Sequence, residues 1–333
     1  MPSLERFPAG LFGAPMGLVG LGLVLREAQN FWPVPSWFTE FWIWVGTLVF
    51  VALVVCYVLK WLRFRAAAQT ELADPMRMCF ISALPVAGSL VAGGLLPYLP
   101  LLADALWWVS AILFLALQVW GLARWFSGIE LAQIHGGWMI MLLAGLVFPI
   151  SGLPLHHIEM TRFMYGAAII AAPFVVGFIV FRMTAGPALP DALKPTIFII
   201  LVPGGLLYAN YPVVSSEVPL YALAATFFCA LTVLAALLVF ARNCHKWPFG
   251  PPWWALTFPL DSMAAGGLRH LRITQALGGA VNPVWEYPGH EPAGAGGAGG
   301  QHRLGTGPER AGARQALGLA RPGAGARDLM IKR

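Results

Sequence analysis

Residues 253–267, WWALTFPLDSMAAGG, have the apolar character of a membrane helix but place Pro259 and Asp261 two positions apart. A proline removes one helical hydrogen bond and clashes with the preceding turn. A charge at the bilayer centre costs roughly 2.5–3.5 kcal/mol on insertion scales. A chain that accepts both in one span has somewhere other than lipid to put them.

Of the 333 residues, 58% are hydrophobic and 11% charged, and the mean hydropathy is +0.71. Soluble domains carry about 25% charged residues, so the composition specifies an all-α integral membrane protein. Continuous apolar runs select helices, because only helices and closed barrels satisfy their backbone in lipid. Nine spans are expected near residues 7–27, 41–62, 78–97, 103–126, 136–154, 161–183, 195–212, 217–241 and 252–270. The N-terminus and the breaks after even spans carry ten Lys or Arg, against two (Arg26 and Arg162) after spans one, three, five and seven. The positive-inside rule then puts the N-terminus in the cytoplasm of a multi-pass protein of the cytoplasmic membrane.

A repeat is hidden in the spans. Each odd span carries an interior proline (Pro15, Pro85, Pro149, Pro203 and Pro259), whereas among the even spans only the sixth has one in its interior, at Pro173. Intervals between the odd-span prolines are 70, 64, 54 and 56 residues, about one two-span hairpin. Backbone groups freed by a proline are tolerated where a neighbouring helix or a water-filled cavity meets them. The economical arrangement has kinked odd helices lining a central pore and even helices outside. Proline is also simply common in membrane helices, and that reading stays open here.

The net charge of +6 sits mostly at the end: residues 1–268 hold twelve Lys or Arg against eleven Asp or Glu. No basic patch with interleaved aromatics precedes residue 269, so no nucleic acid is expected as a partner. The chain divides into a transport domain, 1–270, and a Gly/Ala/Arg-rich tail, 271–333, whose composition predicts disorder. Hairpin logic asks for a tenth helix where this tail stands, and a frame-shifted gene is one explanation.

Asp261 is the carboxylate expected deepest in a span, and such an acid is a functional candidate. It either packs helices together in a neutral form or accepts a proton during coupled transport. Phe258, immediately before Pro259, either packs or closes a narrow apolar constriction. His156, His157 and Glu159 read as a solvated membrane-edge loop, and His135 and His245 as interfacial. Trp32, Trp37, Trp107, Trp108, Trp253 and Trp254 read as interfacial anchors. The four cysteines lack metal-site spacing. No catalytic, ATP-hydrolysing or cofactor motif appears, so no metal, cofactor or enzymatic activity is expected.

Three stretches carry a family likeness: FPAGLFGAPMGLVGLGLVLRE at 7–27, GPALPDALKPTIFIILVP at 186–203 and WWALTFPLDSMAA at 253–265. They resemble the TehA-like family of tellurite-resistance and dicarboxylate transporters, which includes the plant slow-type anion channels. The resemblance implies ten helices in five hairpins, a central pore of kinked inner helices, and a homotrimer with one pore per subunit. It also implies that Phe258 matches the pore-occluding phenylalanine of the ninth helix, and that the tenth helix is missing here. HGGWMIMLLAGLVFPISGLP at 135–154 matches the family less closely, so selectivity is expected to differ. The expected function is passage of small anions (C4-dicarboxylate, tellurite or inorganic anions) through a phenylalanine-gated pore. The alternative is a proton-coupled dicarboxylate carrier with alternating access. Since no Lys or Arg is expected mid-span, helix-end dipoles would supply the positive potential.

Overall fold

The computed structural model describes residues 4–214 and 220–276, and helices account for nearly all of it. The first span is a 3-10 turn, Ala9–Phe12, leading into α1 (Gly13–Ala28). Then come α2 (Ser36–Arg63), a short α3 (Arg65–Ala73), and the third span, built of α4 (Met78–Ile81) and α5 (Ala83–Leu95). After α6 (Pro100–Phe126), the fifth span is broken into α7 (Trp138–Leu143), a 3-10 turn Ala144–Leu146, and α8 (Pro149–Gly152). The long α9 (Ile158–Ala185) precedes a seventh span in which 3-10 residues Asp191–Ile200 run into α10 (Leu201–Val214). Last are α11 (Leu220–Phe240), 3-10 residues Pro251–Leu256 and α12 (Thr257–Ala276).

Among the described residues seven helical stretches are long and apolar enough to cross a membrane. The fifth expected span, Trp138–Gly152, is apolar but short. The ninth falls outside the seven because α12 carries Asp261, Arg269, His270 and Arg272. Helix α12 also continues six residues past the expected end of the transport domain, with Leu271 and Ile273 buried. The remaining tail, and with it any tenth helix, lies outside the described residues.

Odd and even spans differ in burial. Ala9–Ala28, Met78–Leu95 and Asp191–Asn210 are 50%, 83% and 72% buried, against 17–33% for the four even spans. The even helices show large apolar residues outward, such as Val51, Val55 and Leu62 on α2 and Phe163, Ile170 and Phe174 on α9. Lipid tails are as apolar as these side chains, so nothing drives them inward, and helix association depends on close packing instead. The odd helices supply that packing with small residues. On α1, Gly17 and Gly20 lie against α12: a methyl group added at Gly20 would sit 2.6 Å from Asp261 Oδ2 and 3.1 Å from the Phe258 ring, and one at Gly17 would overlap Thr257.

All five odd-span prolines are buried, while Pro173 is exposed. Their placement differs from the mid-helix kink expected. Pro149 is the first residue of α8, and Pro15, Pro85, Pro203 and Pro259 are each the third residue of their helix, following a 3-10 stretch or a break. The physical reason is that the first helical residues have no intrahelical use for their N–H, so proline costs no hydrogen bond there. The break precedes the proline, and the proline starts the helix cleanly.

A polar knot fixes the entry to the first span. Lys60 Nζ, near the end of α2, donates to Glu71 Oε2 of α3 at 2.6 Å and to the Phe7 carbonyl at 2.7 Å. The Ala9 N–H donates to Glu71 Oε1 at 2.9 Å. Lys60 is 3% exposed.

Candidate permeation path

Where the odd spans meet, two cavities lie along the bundle. The narrower, about 50 Å³, is at the end where odd spans begin and takes wall residues from all five: Gly13, Ala83, Leu143, Val202 and Phe258 among them. The wider, about 750 Å³, is at the end where they finish, and Leu23, Leu90, Pro149, Leu206 and Asp261 are its counterparts. Among the described residues, neither draws a wall residue from an even span. Phe258 lines both. It is 6% exposed and packed in the main hydrophobic core.

The local backbone explains that position. Pro251 and Pro252 open a 3-10 stretch, Trp254 faces the narrow cavity, and Thr257 Oγ1 donates to the Trp254 carbonyl at 2.8 Å where 3-10 gives way to α-helix. Phe258 is thus the second residue of α12, held between Gly20 on α1 and the helix junction. Ser262 Oγ, one turn on, donates back to the Pro259 carbonyl at 2.7 Å.

Asp261 faces the wider cavity, one turn beyond Phe258. Its Oδ2 is buried and makes no hydrogen bond among the described residues. Of the prolines, Pro149 walls the wide cavity and Pro203 and Pro259 the narrow one. Pro15 and Pro85 line neither and are buried in helix packing.

Several sequence readings change. Arg26, Arg269 and Arg272 line the wide cavity together with Glu27 and Asp261, so cationic side chains do reach it and helix ends are not the sole source of positive charge there. Arg269 falls inside the expected ninth span; its eight-residue spacing from Asp261, with Ala265 between, was the available signal. His135 is 1% exposed, packed among the helices. Its Nδ1 accepts the Gly137 N–H at 3.1 Å and its Nε2 donates to the Met76 carbonyl at 3.0 Å, which fixes the neutral tautomer. His157 is not solvated: it stacks on Trp107 at 4.5 Å, and its Nε2 lies 2.7 Å from Asp104 Oδ1. Trp107 itself is fully buried.

The sequence profile of the family described as SLAC1, voltage-dependent anion channel, matches residues 6–282. The chain belongs to that family. Within the SLAC1 family it is similar to the S-type anion channel SLAH2 of Arabidopsis thaliana, 24% identical over 285 residues, covering 81% of this chain and 53% of the relative. SLAH3 of the same plant is 23% identical, covering 83% and 45%. The tellurite resistance protein TehA homolog of Haemophilus influenzae is 25% identical over 279 residues, covering 81% and 84%. The chain spans about half the length of the two plant relatives. Family and apolar helices together make it a multi-pass membrane protein.

Proposed function

We propose that the chain passes small anions through a central path that Phe258 closes. One observation carries this reading: two cavities built from the same five spans share Phe258 as a wall residue. An apolar ring between two spaces is a barrier an ion cannot cross with its hydration shell, so moving the ring opens the path. The printed names of relatives, anion channel and tellurite resistance, agree with an anionic cargo. In this reading the buried prolines start the helices that surround the path. The charge bias of the loops puts the narrow cavity on the cytoplasmic side of the cytoplasmic membrane, and the family likeness supports a homotrimer with one path per subunit.

A proton-coupled dicarboxylate carrier is the second reading. The unpartnered Asp261 Oδ2, facing the wide cavity one turn from Phe258, favours it.

The test is anion flux into proteoliposomes. Phe258→Ala should raise chloride and succinate flux; relief of a barrier of about 3 kcal/mol would give on the order of a hundredfold. Unchanged flux removes Phe258 from the gate. In the same vesicles an imposed pH gradient that drives uphill succinate uptake, abolished by Asp261→Asn, selects the carrier, and flux indifferent to the gradient selects the channel.

A further inference from the structure

We infer that the wide cavity contains an anion-binding subsite on α12, formed by Arg269 with Arg272 beside it, which takes a small carboxylate before it reaches Phe258. The inference rests on the anion-passage reading and adds to it where the cargo pauses.

The three arginines of the cavity wall are not equivalent. Arg26 is committed: its Nη2 donates to Glu40 Oε1 at 2.8 Å and Oε2 at 2.9 Å, and its Nε to Oε1 at 3.2 Å. Arg272 pairs with Glu27 and lies 6.0 Å over the Phe31 ring. Arg269 differs. Its Nε donates to the Ala209 carbonyl of α10 at 2.9 Å, and among the described residues it has no carboxylate partner and no other hydrogen bond.

A guanidinium offers five N–H donors in a fixed fork. With Nε tied to a backbone carbonyl, the head group of Arg269 is oriented and its two terminal amino groups remain. That geometry suits a carboxylate, which a guanidinium binds with two parallel hydrogen bonds. The same wall already contains one guanidinium–carboxylate ion pair, since Glu27 and Arg272 both line the cavity. A space of about 750 Å³ exceeds the roughly 30 Å³ share of one water many times over, so a C4 dicarboxylate enters with part of its hydration. Asp261 is eight residues nearer Phe258, roughly 12 Å along the helix. An anion at Arg269 is thereby kept off the acid. Glu27 competes for Arg272, so losing the Glu27 charge should strengthen the site.

A merely structural Arg269, tying α12 to α10, is the competing account, and the variants separate the two. Arg269→Gln keeps an amide donor for the Ala209 carbonyl but loses the charge; Arg269→Lys keeps the charge. The probe is succinate, titrated at constant ionic strength, with thermal unfolding of the purified full chain in detergent as readout. Succinate should raise the Tm of the wild type and of Arg269→Lys saturably. Arg269→Gln should unfold near the wild-type temperature without ligand and show a roughly ten- to hundredfold weaker succinate response. Glu27→Gln should tighten that response. A wild-type response retained in Arg269→Gln, or none in the wild type, overturns the subsite. In proteoliposomes Arg269→Gln should raise the succinate concentration for half-maximal flux and leave maximal flux in place. Flux absent from every variant while the Arg269-dependent response persists defeats the passage reading alone. Normal flux with no such response defeats the subsite alone.

Discussion

At the scale of single residues, His135 is a buried titratable group in a connecting loop, and its burial makes stability depend on pH. Burial pushes it from 6.5 down to about 4, against a smaller opposing effect of its bond to the Met76 carbonyl. Between those values the unfolded chain takes up a proton that the folded chain refuses, because burial disfavours the charged ring. Stability that is complete above pH 6.5 is therefore lost as the pH falls toward 4, by about 3 kcal/mol if the whole shift applies. Thermal unfolding in detergent should show Tm falling from pH 7 to pH 4.5, with a shallower fall for His135→Gln. Equal slopes would assign the acid sensitivity elsewhere. The sequence did not reveal this residue, since a histidine beside two glycines in a polar break reads as surface. Its burial comes from long-range packing against Phe80, at 5.2 Å between rings. His157 was misread for the same reason: its partners Trp107 and Asp104 lie about fifty positions away.

At the scale of elements, the proline repeat was legible because one-residue chemistry recurs at hairpin intervals, and burial of all five prolines follows it. Where each break falls was not legible. Composition gives no sign that Asp191–Ile200 would wind as a 3-10 helix, or that α3 would form between two spans. Helix α3 matters because it delivers Glu71 to Lys60 and to the start of the first span. Removing one partner of such a buried pair leaves the other charge uncompensated, at a cost of about 3–5 kcal/mol. Glu71→Gln should accordingly lower the Tm by many degrees. Combining it with Lys60→Met should recover part of the loss, the remainder being the Phe7 carbonyl, which loses the Lys60 ammonium as its donor. If the double variant is no more stable than Glu71→Gln, the ion pair is not what fixes this corner.

At the scale of the whole molecule, the proposed function requires five odd spans to encircle a single conduit that is interrupted at Phe258. The sequence indicated which spans are inner and which outer. It did not indicate two cavities of unequal size, because their volumes depend on how closely glycine faces such as Gly17 and Gly20 let α1 approach α12. Nor did it show that arginines belong to the wider one. The most direct measurement is labelling of single cysteines, in a chain whose four native cysteines are replaced, by a membrane-impermeant thiol reagent in oriented vesicles. Cysteine at Leu143 should react from one side and at Leu206 from the other, cysteine at Val55 from neither, and Phe258→Ala should open both cavity positions to both sides. Labelling at Leu143 and Leu206 no greater than at Val55, or sidedness that ignores the loss of the Phe258 ring, would contradict a shared path closed there.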